Sequence, residues 1–237
     1  MISYRYLARA PLVCLAIAAG YEGHADELPT LAPSGFERFF VLDGAANAPD
    51  AIEQLLTAQW QDQFIIQEGA DTGREIAVSS CPSFFAARAA ALEPDAPSEW
   101  PIYRDYGLRC LALQESVYLR AAPDLIAQGM DEGALATLDL PVSDMVSDEI
   151  VAIPPDGLVP ILFEDGQGTL TIDADQFTFE VVDSLSTKTV PNATLLVMMA
   201  AASLEGSYST ATLFRLDRTK PDGPYSVSRR INARHED

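Results

Sequence analysis

Histidine is almost missing from this sequence. Of two in 237 residues, His24 sits in a leader-like segment and His235 is third from the C-terminus. A Ser-His-Asp or Cys-His arrangement, or a zinc site using imidazole, would have to rest on that terminal residue. Chain ends are poor places for such geometry, so a surface residue is the simpler reading. Lysine is as scarce beyond the leader-like segment, with Lys188 and Lys220 alone. Leu185 and Asp217 stand three positions before them, so there is no Ser-x-x-Lys nucleophile. Walker and dinucleotide-binding glycine patterns are absent as well. Long apolar runs are missing beyond the N-terminal region. The strongest, Leu195 to Ala202, has eight residues, against the roughly 20 that a membrane helix needs, and reads as a buried strand.

Positive charge is missing from the middle of the chain. Between Ala121 and Thr187 there are 14 Asp+Glu and no Lys, Arg or His. The whole chain carries a formal net charge of −20. A field of this sign repels phosphate, which excludes nucleic acid and anionic membrane surfaces as partners. A solvated acidic surface is the plainer reading of these residues. The partners they admit are basic proteins or peptides, with 121–187 as the contact region, or divalent cations.

What is present begins with a secretory pattern. Arg5 and Arg9 form a basic start, Ala10 to Ala19 an apolar stretch of ten, and Gly23-His24-Ala25 a small-residue site for cleavage before Asp26. Residues 1–25 are therefore read as a signal peptide, and the mature protein as periplasmic or secreted. Cys14 falls inside that segment, after Pro11-Leu12-Val13, which is a poor lipidation signal. Two cysteines remain, Cys81 and Cys110, and an oxidising compartment favours one disulfide between them. Such a bond closes a loop of about 30 residues and stabilises by roughly 3–4 kcal/mol in the chain-entropy model.

Along the chain, Phe36 to Leu42 reads as a first strand. A short amphipathic helix follows from Asn47-Ala48-Pro49-Asp50, with Ile52, Leu55, Leu56 and Trp60 at helical spacing. Gln63–Gln67 and Glu75–Ser79 read as a hairpin that delivers the chain to Cys81. Pro82 suits the first turn of a helix running to Leu92, with Phe85, Ala89 and Leu92 on one face. Ser98 is placed to cap a second helix, whose apolar stripe is Tyr103, Tyr106, Cys110, Leu113 and Val117. Gly107 weakens that helix by up to about 1 kcal/mol and offers a close approach to a neighbour. One or two short helices are expected between Leu125 and Leu138. Leu140 to Gly157 is punctuated by proline and acid, and is a candidate boundary between a mixed part, 26–150, and a part rich in strands, 151–237. Beyond it the period becomes two: Thr169–Ile172, Phe177–Val182, Thr194–Ala202, Thr210–Leu216 and Tyr225–Ser228 read as consecutive antiparallel strands.

Three short motifs invite chemistry. Asp71-Thr72-Gly73 resembles the signature of aspartic proteases, which implies a second carboxylate sharing a proton. No second Asp-Thr-Gly or Asp-Ser-Gly occurs, and a hairpin turn accounts for these residues. Glu164 to Gly168 and Asp173-Ala174-Asp175 are oxygen-rich, yet the Asp-x-Asp-x-Asp-Gly order of a calcium loop is absent. A turn and a strand end explain them. Cys81-Pro82-Ser83-Phe84 follows a strand and opens a helix, which resembles the thioredoxin-like fold, with Val190-Pro191 in the place of its cis-proline loop. That resemblance implies a thiol-redox activity at Cys81, but the second cysteine of Cys-x-x-Cys is missing.

The sequence thus predicts an α+β protein. A disulfide-stapled mixed N-terminal part of short strands and several helices packs with a C-terminal antiparallel β-meander. No catalytic, cofactor-binding or metal residue is nominated; the residues singled out are the disulfide pair Cys81 and Cys110. The expected function is that of a non-enzymatic exported accessory protein that binds a partner. The alternatives are an inhibitor of a basic wall hydrolase and a thiol-redox protein using Cys81.

Overall fold

The computed structural model describes residues 36–41, 51–67, 75–127, 135–146, 157–164, 166–172, 174–203 and 209–233. The leader-like segment 1–25, Asp71-Thr72-Gly73, Asp165, Asp173 and His235 lie outside them. The chain enters through a 3-10 turn, Phe36–Arg38, and runs through α1 (Ala51–Thr57), the hairpin β1 (Gln59–Gln67) and β2 (Glu75–Ser80), α2 (Cys81–Ala89) and α3 (Trp100–Arg120). It continues as β3 (Ile126–Ala127), β4 (Thr137–Pro141), α4 (Val142–Met145), β5 (Leu158–Glu164) and β6 (Gln167–Ile172). The last strands are β7 (Asp175–Ser186), β8 (Thr194–Ser203), β9 (Ser209–Asp217) and β10 (Ser226–Ile231). This is an α+β chain. Strands β4 to β10 form one antiparallel sheet in sequence order, with β3 paired to β7 beyond the end of β6.

The strands expected from Thr169 onward are present as β6 to β10 and follow one another as an antiparallel meander. Elsewhere the structure corrects the sequence reading. The stretch from Phe36 begins as a 3-10 turn, and only Phe39 to Val41 runs along β1, through Val41 N–H to Gln59 O at 2.7 Å and Gln61 N–H to Phe39 O at 2.8 Å. Trp60 shares helical spacing with Leu56 but lies in β1, where it is the first buried position of the strand. In α2 the buried face is Cys81, Phe84 and Ala87, one position off the expected stripe, and the helix ends at Ala89 rather than Leu92. Ser98 is not the cap: the N-cap of α3 is Glu99, which makes no side-chain capping hydrogen bond. The Trp100 indole instead donates to Pro94 O at 2.6 Å. Where helices were expected between Leu125 and Leu138, the described residues form β3 and the start of β4.

Strand β5 was hidden by Pro160, a residue that argues against a central strand. It is tolerated because β6 pairs with β5 only at Phe163 and Glu164, which leaves one side of β5 without a strand neighbour at Pro160. At that divergence Gly168 is packed against Ile161, Leu162 O and Phe163, and a Cβ there would collide with the Ile161 side chain.

The sheet separates two cores. One face of β7, β8 and β9 contributes Phe177, Phe179, Val181, Leu195, Val197, Met199, Phe214 and Leu216 to an interior shared with β4, α4 and β5. The opposite face contributes Val182, Leu185, Leu196, Met198, Leu213 and Ile231 to a second core with the N-terminal helices and hairpin. The curl brings α4 against β10, where Arg230 donates to Met145 O at 2.8 Å and lies over the Phe214 ring.

Helix α3 crosses the outer face, against β7, β8 and β9. Of its expected stripe, Tyr103, Tyr106, Cys110 and Leu113 are buried and Val117 is half-buried. Gly107 makes the crossing with α2 possible, since a Cβ there would run into the ring of Phe84, which is fully buried and has no room to swing. Alanine in place of glycine inside a helix ordinarily stabilises by about 1 kcal/mol. Here the sign reverses, because overpacking of about 1–3 kcal/mol opposes it. Gly107→Ala is expected to lower the urea midpoint; a raised midpoint would show that the α2–α3 contact yields.

Candidate functional site

Between α3 and the sheet lies a layer of charge, and it takes up four of the nine described arginines. Arg109 donates to both oxygens of Glu180 on β7, at 3.0 and 2.9 Å. Only 6 % of the Arg109 side chain and 12 % of that of Glu180 are exposed. One turn back, Asp105 approaches the same guanidinium at 3.5 Å, while the rings of Phe39 and Phe36 cover it at 3.8 and 5.4 Å. Further along α3, Arg120 reaches Asp183 at 2.9 Å. Glu115 receives Arg229 of β10 at 2.7 Å, with Arg215 of β9 at 3.9 Å. Arg215 in turn pairs with Asp217 at 3.1 Å, and Asp217 accepts from the Thr194 hydroxyl at 2.6 Å.

Two β-bulges put these groups on the right side. Before the bulge in β7, odd residues such as Phe179 and Val181 face the interior and Glu180 faces α3. Val181 pairs with Val197 and Asp183 with Leu196, so Val182 is an extra residue. An insertion of one residue exchanges the faces of everything after it. Asp183 is thereby turned toward Arg120 rather than into a core of phenylalanines. The bulge between Val227 and Arg229 in β10 does the same, turning Arg229 toward Glu115 and Arg230 toward Phe214.

The electrostatics follow from burial. Asp105 is held above the usual carboxylate range, first by desolvation, with the negative charge of Glu180 adding and Arg109 opposing. A raised carboxyl costs stability above its own pKa, and that cost fades as the pH falls through it. The Tyr106 hydroxyl, buried and donating to Asp62 at 3.0 Å, is pushed up to about 12. Tyr103, in the same aromatic cluster as Trp60, Phe64 and Phe84, is raised further by burial. The arrangement is a brace of ion pairs under aromatic cover. It presents two carboxylates to one guanidinium.

The sequence-nominated cysteines are bonded to one another. Cys81, the first residue of α2, meets Cys110 in the middle of α3 with Cα atoms 5.3 Å apart, and both are fully buried. A thiol-redox reaction at Cys81 needs an accessible sulfur, and the peptide before Pro191 is trans. The oxygen-rich stretch forms the β5–β6 turn, with Glu164 opposite Gln167, while Asp175 opens β7 opposite Ile172. Among the described residues no three His, Cys, Asp or Glu side chains gather to hold a metal, and no helix is long and apolar enough to cross a membrane. Of the acidic stretch 121–187, Glu180 and Asp183 turn inward to arginines, whereas Asp124, Asp139, Asp144 and Glu164 are exposed. Nothing in the sequence reading nominated Arg109, Arg120 or Glu115. The available hint was Asp105 and Arg109 at helical i,i+4 spacing beside Cys110 on a buried stripe. Comparison with family models, curated proteins and solved structures gives no match.

Proposed function

We propose that this chain is an exported, non-enzymatic accessory protein that binds a basic partner. The observation that carries the reading is the direction in which the arginines point. Arg104, Arg109, Arg120, Arg215 and Arg229 are held in ion pairs within the protein. Arg88, Arg218 and Arg230 donate to backbone carbonyls. In a chain of net charge −20, these arginines are engaged within the protein, while Asp124, Asp139, Asp144 and Glu164 stand exposed. Such a surface steers positively charged proteins toward itself and repels acidic ones. The signal-like segment and the disulfide support export into an oxidising compartment. One concrete version is a masking protein or inhibitor of a cationic wall hydrolase.

The test is calorimetric titration of the mature chain, from Asp26 onward, with a basic wall hydrolase at rising salt. Affinity is expected to fall by at least about tenfold as the Debye length shrinks from roughly 14 Å to 6 Å. Equal affinity across that range would remove the electrostatic basis of the proposal.

A further inference from the structure

The outer face of the sheet is covered over only part of its width. Over the central stretches of β7, β8 and β9 it is buried under α3 and the N-terminal core, while Gln176 and Ala200 of the same face are exposed. Over β4, β5 and β6 the outward residues Thr137, Asp139, Pro160, Leu162, Gln167 and Thr169 are exposed. We propose that this uncovered face is a docking surface for a lysine-rich segment of a basic protein. The inference rests on the basic-partner reading above and assigns it a place.

Alternation defines the face. Leu138, Leu140, Ile161 and Phe163 point into the interior core, so Asp139, Pro160, Leu162 and Glu164 stand on the other side. Leu162, beside the point where β6 diverges from β5, is 61 % exposed. Its cross-strand neighbour is Thr137, and Asp139 is opposite Pro160. The Asp139 carboxylate is therefore diagonal to Leu162, roughly 7–8 Å away. Glu164 lies two residues along the same strand, about 7 Å away. A leucine flanked by carboxylates at this spacing matches the lysine side chain. The aliphatic stem packs on the leucine while the ammonium reaches an acid. Alternate lysines of an extended segment repeat at about 7 Å, the same step. No Lys, Arg or His occurs anywhere from 121 to 187, so the chain segments that make up this face bring no cation to compete.

The experiment uses the mature chain and a short poly-L-lysine, titrated calorimetrically at low and moderate salt. Two variants remove the same charge from different places: Asp139→Asn with Glu164→Gln on the face, and Asp124→Asn with Asp222→Asn at exposed positions away from it. The first is expected to weaken binding about tenfold or more and the second less than about twofold. Leu162→Ser, at a position that folding leaves exposed, is expected to weaken it about threefold at moderate salt. Equal weakening by both charge pairs would overturn the assigned face and leave the basic-partner reading standing. No binding of the unaltered chain at low salt would overturn both.

Discussion

Arg109→Met is expected to destabilise the protein by about 3–5 kcal/mol, the usual cost of removing one partner from a buried ion pair. Methionine keeps much of the length of the side chain and its contact with Phe36 and Phe39, so the loss isolates the charge. What it leaves behind is Glu180, 12 % exposed and deprived of a bidentate partner at 2.9 and 3.0 Å. Asp105 loses the same cation, the one influence that lowers its raised pKa. The measurement is a urea unfolding midpoint followed by tryptophan fluorescence. Trp60 and Trp100, the two tryptophans of the chain, both lie in the N-terminal part that the layer attaches to the sheet.

Two companion variants separate this explanation from a general loss of packing. Glu180→Leu added to Arg109→Met deletes the whole pair, and it is expected to recover much of the loss because no buried charge is then stranded. Arg229→Ala removes a guanidinium whose side chain is 57 % exposed, from a Glu115 that keeps Arg215 nearby. Its expected cost is about 0–1 kcal/mol, as for exposed pairs. If Arg109→Met costs no more than Arg229→Ala, the layer is hydrated in solution and is not a brace.

The parts of this architecture that the sequence made legible are those governed by one rule at a time. Strands β6 to β10 show alternation or, in β8, a short apolar run, with turn residues between several of them, so their existence and antiparallel order could be read directly. The α3 stripe from Tyr103 to Leu113 repeats every three to four residues, and it too was readable. Failures occur where two rules meet. Trp60 continues the spacing of α1, yet belongs to a strand because Phe40 and the aromatic cluster hold it there. Pro160 speaks against a strand unless one side of β5 is free, and that freedom is set by tertiary divergence. The charge layer was invisible for a related reason. Its members come from α3, β7, β9 and β10, and two of them face α3 only because single-residue bulges reverse the alternation. A bulge has no signature in the period of the pattern, so Asp183 and Arg229 read as ordinary strand positions.

Replacing both Cys81 and Cys110 by alanine is expected to cost more than about 3–4 kcal/mol, the value that the chain-entropy model gives for a loop of this length. The bond spans a sequence separation of 29 and joins α2 to α3. Three residues from each sulfur the same two helices meet again, where Phe84 of α2 packs on Gly107 of α3. The two contacts fix the crossing at two points, one covalent and one steric. That arrangement matters because α3 is the element that carries Arg109, Glu115 and Arg120 to the sheet. A helix free to rotate on its neighbour would carry those three charges off their partners together. The double alanine variant should therefore lose stability beyond the entropic term, and Arg109→Met should cost less in that background than in the intact protein. Coupling of this kind is measured by a double-mutant cycle. Additive losses would mean that the disulfide acts on the unfolded chain alone. A non-additive cycle would place its effect in the folded state, at the angle between α2 and α3 that aligns the arginines with the sheet.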